Sequence, residues 1–209
     1  MSAARVKDAE LKSAVAAATE GEVDLTGVSA ELARRAAAAG LLDLAYCELD
    51  SPLGKLLAVA SPDGLIKLGY PNVAADAQLA GLAEAVSPRL LEAPGEFDEL
   101  RRELDEYFEG ERRDFAIELD WRLTAGFVQR VLRQTARIPF GQTRTYSEMA
   151  ASAGSPRAHR AAGSALGANP IPIVVPCHRV LRAGGALGGY GGGLEVKRRL
   201  LELEGALQD

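Results

Sequence analysis

Short stretches in the first half of the chain alternate hydrophobic and polar residues, which is the pattern of β-strands. Three of them are separated by turns rich in proline and glycine, Ser51–Gly54 and Ser61–Gly64, and this predicts a β-meander. In two later segments, hydrophobic residues recur every three or four positions, as in amphipathic helices. The predicted strands are Leu44–Leu49, Lys55–Ala60, Leu65–Tyr70 and, added to the same sheet, Arg113–Leu119; the predicted helices are Ala74–Ala85 and Glu96–Glu109.

The second half of the chain is dominated by helical patterns. Thr124 precedes a segment whose hydrophobic residues share one helical face, so we expect it to cap that helix. Thr145 and Glu148 have the spacing of a capping box, and Ser155–Pro156 supplies an N-cap and a first-turn proline for the next helix. Two short helices joined by a glycine-containing turn predict a helix-turn-helix. The helices predicted here are Tyr146–Ala153, Arg157–Gly167 and, near the end of the chain, Glu195–Leu203.

Residues 1–43 predict a helical extension without a functional motif. Helices are expected at Ser13–Ala18 and Ser29–Ala39, and Gly40 is suited to end the second. No stretch approaches the ~20 apolar residues that a membrane-spanning helix needs. The N-terminus lacks the apolar segment of a secretory signal. We therefore expect a cytoplasmic protein that does not bind membranes.

Charge is distributed unevenly between the two predicted domains. An α/β domain over residues 44–122 and a mostly helical domain over residues 123–209 make the fold class α+β. The net charge is −5, but residues 1–123 contribute −11 and residues 124–209 contribute +6. This favours contact between a polyanion and the C-terminal part. A chance imbalance between solvated faces is the alternative, so the asymmetry does not prove DNA binding.

The predicted helix Arg157–Gly167 consists mostly of small residues and carries two arginines, one of them Arg160. It has no asparagine or glutamine, the long side chains that read base edges in the major groove. Small side chains and arginine suit close, sequence-tolerant contact with a DNA backbone or a minor groove. A helix packed tightly inside the protein would have the same composition, and the helix alone does not distinguish the two.

A proline-rich segment leads to the most reactive candidate side chain, Cys177. Three prolines within residues 169–176 predict a rigid, extended, non-helical segment. His178 and Arg179 follow the cysteine, and a neighbouring base or cation lowers a thiol pKa that starts near ~8.5. Adjacent side chains of an extended segment point to opposite faces, so we expect a water molecule to link Cys177 to His178. Alternatively, the two are a buried cysteine and a core histidine with no reactivity.

Residues 184–193 are rich in glycine but lack the Gly-Lys-Ser/Thr of a phosphate-binding loop. We interpret them as a loop that walls a pocket and exposes backbone N–H groups. Glu204, at the end of the last helix, is the natural carboxylate to orient His178. The two cysteines and two histidines have no metal-binding spacing, so no metal or other cofactor is expected. Cys47 is predicted to be a packing residue.

The C-terminal part also contains a long series of ordered motifs. They are Ile138-Pro139-x-Gly141-x-Thr143, Thr145-Tyr146, Gly154-x-Pro156, Arg160-Ala161, Asn169-Pro170, Pro176-Cys177-His178-Arg179-Val180, Gly188-x-Tyr190-x-Gly192-Gly193, Lys197 and Leu200-Leu201-x-x-Glu204-Gly205. With these motifs, residues 124–205 resemble the O6-alkylguanine-DNA alkyltransferases, or methylated-DNA–protein-cysteine methyltransferases. The β-meander is similar to the ribonuclease-H-like N-terminal domain of that family, through weaker motifs. Residues 1–43 lie outside the resemblance.

The resemblance implies a single-turnover repair reaction. Cys177 would accept an alkyl group from O6 of guanine in double-stranded DNA, with O4-alkylthymine as a further candidate substrate. His178 would take the thiol proton through water, and Glu204 would fix the histidine. A monomer would bind the minor groove and flip out the nucleotide, whose place Arg160 would take. The remaining implied site residues are the hinge Asn169, Tyr146 at the target phosphate and flipped base, Ser147 and Ser155 at the DNA backbone, and Pro172, Val180, Tyr190 and Gly191 in the pocket.

Two rival functions share parts of this pattern. Alkyltransferase-like proteins bind lesions without reacting, but they lack the cysteine, so Cys177 argues against this class. A small DNA-binding regulator would also use a helix-turn-helix, but the absence of base-reading side chains on Arg157–Gly167 argues against sequence-specific binding. One departure from the family concerns Gly191, which replaces a serine of some relatives. A backbone N–H contact would survive there, whereas a hydroxyl contact would not.

Overall fold

The computed structural model describes Arg35 and residues 42–207. Its larger sheet has four strands in the order β3-β2-β1-β4. The predicted β-meander is confirmed, because β1, β2 and β3 are antiparallel neighbours. A short fourth strand, missed by the sequence analysis, pairs parallel to β1. The strands are β1 (Leu44–Leu49), β2 (Leu56–Ser61), β3 (Gly64–Gly69) and β4 (Leu90–Glu92).

Two helices of the N-terminal part lie close to their predicted positions. They are α1 (Ala75–Ala85) and α2 (Asp98–Phe108), the second preceded by a 3₁₀ turn. The helices predicted at Ser13–Ala18 and Ser29–Ala39 lie outside the described residues, except for Arg35. No helix within residues 42–207 is long and apolar enough to cross a membrane.

The prediction of a strand at Arg113–Leu119 is wrong. This segment makes a single bridge to β3, between Leu119 and Leu65. Leu65 N donates to Glu118 O at 2.8 Å, and Asp120 N donates to Leu65 O at 2.9 Å. Alternate hydrophobic side chains of the segment pack against the core. The alternating pattern therefore reports one buried side of an irregular segment rather than membership of a sheet.

The C-terminal part is mostly helical, so the α+β fold class is confirmed. Three of its helices pack against one another, and two of these form the helix-turn-helix. A two-stranded parallel ladder joins the start of this motif to the segment that follows the cysteine. The elements are α3 (Gly126–Thr135), β5 (Arg144–Thr145), α4 (Tyr146–Ser152), α5 (His159–Gly167), β6 (Val180–Leu181) and α6 (Leu194–Leu203).

One of the predicted helix caps is confirmed and one is wrong. The Thr145 side chain accepts a hydrogen bond from Glu148 N, and the Glu148 side chain accepts from Thr145 N at 2.6 Å, which completes a capping box. Thr124 does not cap α3, because its hydroxyl donates to Trp121 O at 2.9 Å and the helix begins only at Gly126.

The predicted start of the second helix of the helix-turn-helix is also wrong. Ser155 and Pro156 belong to a turn in which Ala158 N donates to Ser155 O at 2.9 Å. Helix α5 begins at His159, after this turn, and has no side-chain cap. The serine and proline therefore shape the connection between α4 and α5 rather than the first turn of α5.

One hydrophobic core runs through both parts of the protein. It combines one face of the sheet, helix α2, the helix-turn-helix and the segment that carries the cysteine. Leu68 N of β3 donates directly to Pro170 O at 2.8 Å. Tyr107 of α2 is fully buried, and its hydroxyl contacts Glu204 at the end of α6. The sheet domain thus contacts both the segment that precedes the cysteine and the end of α6.

Candidate active site

The segment before the cysteine is compact rather than extended, so that prediction is wrong. Val175 N donates to Ile171 O at 2.9 Å, and Ile173 has a positive φ of 73°. Cys177–Arg179 form one turn of 3₁₀-helix. Proline restricts φ to a value that turns and 3₁₀-helices also use. The prolines therefore make the segment rigid, but other contacts bend it.

Asn169 provides one of these contacts. Its Oδ1 accepts a hydrogen bond from Ile171 N at 3.1 Å, while Nδ2 donates to Val175 O at 2.8 Å and to Cys177 Sγ at 3.1 Å. The side chain lies just beyond the end of α5. Asn169 thereby ties the helix-turn-helix to the turn that holds the sulfur atom.

Glu204 is the centre of a buried hydrogen-bond network. The His178 ring nitrogen Nε2 lies 2.8 Å from Glu204 Oε1, and Tyr107 Oη donates to the same oxygen at 2.7 Å. Arg179 donates through Nε at 2.8 Å and Nη2 at 2.9 Å, and Gly141 N donates at 3.3 Å. Burial opposes ionisation of the carboxyl group, but the bonds from His178 and Arg179 outweigh it and lower the pKa to about 2. Glu204 is therefore a carboxylate at neutral pH.

The ionised carboxylate determines the tautomer of His178. A carboxylate can only accept hydrogen bonds, so His178 Nε2 carries the proton. Burial lowers the pKa of His178 despite the bond to Glu204, which keeps the ring neutral. The other ring nitrogen, Nδ1, is buried and has no hydrogen-bond partner among the described residues. Nδ1 consequently holds a free lone pair and can act as a base.

The expected lowering of the cysteine pKa is not the net result. Burial raises the pKa of the Cys177 thiol, while hydrogen bonds from Asn169 and Tyr190 and the charge of Lys197 oppose this rise. Cys177 is therefore a thiol at rest and needs a base before it can attack. Cys47 is buried on β1, where burial raises its pKa to about 11, in keeping with a packing role.

Cys177 lines a cavity of about 650 Å³ on the side of the helix-turn-helix. Arg160 lies on an exposed part of α5 at this cavity. The wall opposite α5 is formed by the glycine-rich loop. Other lining residues include Tyr146, Gly163, Leu166, Arg182, Tyr190 and Gly191.

A second, smaller cavity of about 180 Å³ reaches Cys177 from the side of the sheet. Pro172 lines this cavity, and Tyr190 and Gly191 line both. Val180 lines neither of the two cavities. Its side chain is fully buried, and its carbonyl oxygen accepts a hydrogen bond from Lys197 Nζ at 2.6 Å.

The other predicted DNA contacts lie on the helix-turn-helix. Ser147 is exposed in the first turn of α4, and Ser155 is half-buried in the turn before α5. The Tyr146 side chain lies between α5 and the glycine-rich loop, since a Cβ added at Gly163 would be 3.6 Å from its ring and one added at Gly188 would be 2.6 Å from its hydroxyl oxygen. Of the predicted DNA-binding residues, Tyr146 and Arg160 therefore line the larger cavity, whereas Ser147 and Ser155 lie elsewhere on the same helix-turn-helix.

Several residues that complete the site were not predicted as site residues. Tyr70 and Asn72 follow β3 and contact the loop at Tyr190 and Gly191. No sequence motif marks these two residues or Tyr107, and Tyr107 has the spacing of an ordinary core residue of α2. A buried tyrosine hydroxyl usually has a hydrogen-bond partner, but the sequence does not reveal which one.

The buried Lys197 was noted only as a motif residue. Its Nζ donates to Val180 O and to Leu187 O, which joins β6 to the glycine-rich loop. Burial lowers its pKa to about 8. A buried lysine is uncommon unless its charge is compensated. The two carbonyl oxygens supply that compensation here. Through them Lys197 stabilises the position of the glycine-rich loop that lines the cavity.

The fold and the site define a class of protein in which a helix-turn-helix lies beside a buried cysteine, whose neighbouring histidine is hydrogen-bonded to a buried carboxylate. Residues 44–121 match the family described as 6-O-methylguanine DNA methyltransferase, ribonuclease-like domain. Residues 126–206 match the DNA binding domain of the same description. The chain belongs to the 6-O-methylguanine DNA methyltransferase family, which confirms the resemblance.

Individual relatives agree with this assignment. The methylated-DNA–protein-cysteine methyltransferase of Mycobacterium tuberculosis is 43% identical over 159 residues, which cover 76% of this chain and 91% of the relative. The constitutive enzyme of Bacillus subtilis is 37% identical over 163 residues, or 76% and 94% of the two chains. The crystal structure of Mycobacterium tuberculosis OGT in complex with DNA matches with a TM-score of 0.68 and 41% identity, covering 78% and 93% of the two chains.

Proposed function

We propose that this protein repairs DNA by direct reversal, moving an alkyl group from O6 of guanine in duplex DNA to Cys177. The observation that carries the proposal is the position of Cys177, which lines a cavity beside the helix-turn-helix and directly precedes the His178–Glu204 pair. Relatives named methylated-DNA–protein-cysteine methyltransferases and a DNA complex of one of them support it.

The transfer begins with loss of the thiol proton. His178 Nδ1 accepts it through a water molecule, and the Glu204 carboxylate stabilises the imidazolium that results. The Cys177 thiolate then attacks the alkyl carbon. A carbon–sulfur bond forms, the bond from carbon to guanine O6 breaks, and the electron pair goes to the guanine.

Departure of the guanine requires neutralisation of the charge that develops on the base. The Tyr146 hydroxyl and backbone N–H groups near Gly191 supply hydrogen bonds for this purpose. The sulfur is left as a thioether, which water does not cleave under physiological conditions. Each molecule of the protein therefore reacts once.

The DNA faces the helix-turn-helix. Small residues of α5 allow close approach to the minor groove, Ser147 and Ser155 contact the backbone, and the nucleotide flips into the larger cavity while Arg160 fills the gap in the stack. Asn169 acts as the hinge between this motif and the sulfur. The protein acts as a monomer in the cytoplasm, at the nucleoid, with residues 44–122 and 123–209 as its two domains.

Intact-mass measurement after incubation with an O6-methylguanine duplex tests the proposal. We expect a gain of one methyl group in place of one proton, absent in Cys177→Ser and retained in the matched control Cys47→Ser. Tight binding to the lesion without any change in mass would instead identify a lesion-binding protein. If the protein bound undamaged DNA of one defined sequence as tightly as it binds the lesion duplex, it would be a regulator.

The role of Arg160 is tested separately from the chemistry. Arg160→Ala should slow transfer from duplex DNA by about 10- to 100-fold, because extrusion of a stacked base costs a few kcal/mol. Transfer from the free modified base should change little. The exposed neighbour Arg157→Ala is the control for loss of one positive charge. Equal losses on both substrates would show that Arg160 acts in the pocket and not in base extrusion.

A further inference from the structure

The sheet domain contributes a tyrosine to the immediate surroundings of the reactive sulfur. Tyr70 directly follows β3 and is buried, and its hydroxyl oxygen lies 2.7 Å from that of Tyr190. The loop runs so close to this ring that a Cβ added at Gly192 would be 2.8 Å from it. Asn72 Nδ2 also donates to Gly191 O at 2.9 Å. The end of β3 therefore fixes the position of the loop that carries Tyr190.

The proton count of the two hydroxyl groups determines what Tyr190 can do for Cys177. Each hydroxyl has one proton to donate. If Tyr190 donated to Tyr70, only its lone pairs would remain for the sulfur, and these repel a thiolate. If Tyr70 donates to Tyr190, the Tyr190 proton is free for the sulfur. Burial raises the pKa of both tyrosines, so both remain protonated donors.

Only the second arrangement places a Tyr190 donor at the Cys177 thiolate. Tyr190 lines both cavities together with Cys177, and Tyr70 and Asn169 line the smaller one with them. Donation from Tyr190 also opposes the rise in the pKa of the Cys177 thiol. Asn169 is the second donor to the same atom. Within residues 42–207, the Tyr70 hydroxyl has Tyr190 as its one hydrogen-bond partner. A donor chain from Tyr70 through Tyr190 to Cys177 supplies a donor to the sulfur once the thiol has lost its proton.

We propose that Tyr70 is a positioning residue for alkyl transfer, whose hydroxyl donates to Tyr190 and thereby directs the Tyr190 proton to Cys177 Sγ. The inference rests on the proposed function only in naming the reaction that benefits. Tyr70 does not contact the alkyl group or the guanine in this scheme. It acts through Tyr190, which makes the sheet domain part of the reactive site.

The expected effect of Tyr70→Phe follows from the balance between thiolate population and nucleophilicity. Without the Tyr70 hydroxyl, Tyr190 loses the bond that orients its proton toward the sulfur, and its donation to Cys177 weakens. A resulting rise of the thiol pKa by about one unit leaves about 10-fold less thiolate near neutral pH. A more basic thiolate is a better nucleophile, with a Brønsted coefficient of about 0.4–0.5, so the rate should fall only about 3-fold. The other titratable groups that interact with Cys177 stay in place in this variant: Tyr146 of α4, Tyr190 and Lys197 of α6. The adjacent His178 keeps its bond to Glu204.

The experiment measures the rate at which iodoacetamide alkylates Cys177 as a function of pH. All variants carry Cys47→Ser, so that the measured rate is that of alkylation at Cys177 alone. Four proteins are compared, namely the Cys47→Ser protein itself and the same protein carrying Tyr70→Phe, Tyr190→Phe or both changes. Tyr46→Phe, which removes a half-buried hydroxyl on β1, is the matched control. DNA affinity and thermal unfolding are measured alongside the rates.

We expect Tyr70→Phe to shift the pH profile of alkylation to higher pH and to leave the DNA affinity unchanged. In the Tyr190→Phe background, Tyr70→Phe should cause no further shift. An unmoved profile would overturn the proposal. An equal shift in the presence and absence of the Tyr190 hydroxyl would also overturn it, because Tyr70 would then act by another route. Failure of the proposed function is distinguishable: iodoacetamide would still react with Cys177, but the lesion duplex would transfer no methyl group.

Discussion

Replacing Glu204 with glutamine removes one negative charge from the centre of the site at nearly constant side-chain size. The Glu204 side chain is fully buried, and the Arg179 side chain, which donates twice to it, is 5% exposed. Removal of one partner of a buried ion pair costs about 3–5 kcal/mol, because the other charge is left uncompensated. We expect the free energy of unfolding at neutral pH to fall by about that amount in Glu204→Gln.

The pH dependence gives this prediction a sharper form. The pKa of Glu204 is about 2 in the folded protein, against an ordinary value of 4.5. A carboxyl group whose pKa is lower in the folded state stabilises the protein above pH 4.5 and loses this contribution as the pH falls toward 2. At about 1.4 kcal/mol per pH unit the contribution is about 3 kcal/mol, of which about 2 kcal/mol should be lost by pH 3. Glutamine does not titrate. The difference in the free energy of unfolding between wild type and Glu204→Gln should therefore narrow by this amount as the pH falls to 3.

Urea unfolding followed by the fluorescence of the single tryptophan, Trp121, measures this difference between pH 7 and pH 3. Other carboxyl groups titrate in both proteins and cancel. Glu202→Gln is the matched control, because Glu202 is exposed on the same helix. A difference between wild type and Glu204→Gln that stays constant over this pH range would refute the reasoning, as would an equal effect of Glu202→Gln.

Two glycine substitutions test how closely the backbone approaches its neighbours. Gly64→Ala should destabilise the protein by about 1–3 kcal/mol in urea unfolding, because φ is +125° and the new Cβ would lie 2.4 Å from Glu118 O; Gly81→Ala, on an open helix surface, should instead be neutral or stabilising. Gly188→Ala would place a Cβ 2.6 Å from the Tyr146 hydroxyl, at a φ of +69°. Displacement of that hydroxyl should slow single-turnover transfer by about 10-fold or more, and an unchanged rate would show that Tyr146 is not held by the loop.

The features that the sequence predicted correctly depend on neighbouring residues. The β-meander follows from two proline- and glycine-rich turns only a few residues long. The capping box at Thr145 needs only a partner three residues later. Cys177, His178 and Glu204 were chosen from ordered motifs, and His178 and Glu204 form the predicted hydrogen bond. Their catalytic roles remain predictions.

The features that failed depend on which of several competing contacts forms, whether near or far in the chain. The segment Arg113–Leu119 has the alternation of a strand, but whether it pairs depends on how it meets β3. The prolines before Cys177 are compatible with an extended chain or a turn, and the contacts of Asn169 decide for the turn. Thr124 and Ser155 could each cap a helix, but competing backbone partners determine where α3 and α5 begin.

The sequence by itself determined the α+β class, the candidate cysteine and the carboxylate that hydrogen-bonds to its neighbouring histidine, because short-range patterns and ordered motifs carry that information. Only the tertiary structure decided that Cys177 rests as a thiol, since burial of the whole site sets its pKa. It also decided that Tyr70 and Tyr107, both from the sheet domain, complete the surroundings of the sulfur and of Glu204. Their hydroxyl groups are more than 90 residues away in the chain from the groups they contact, and only packing of the two parts brings them there.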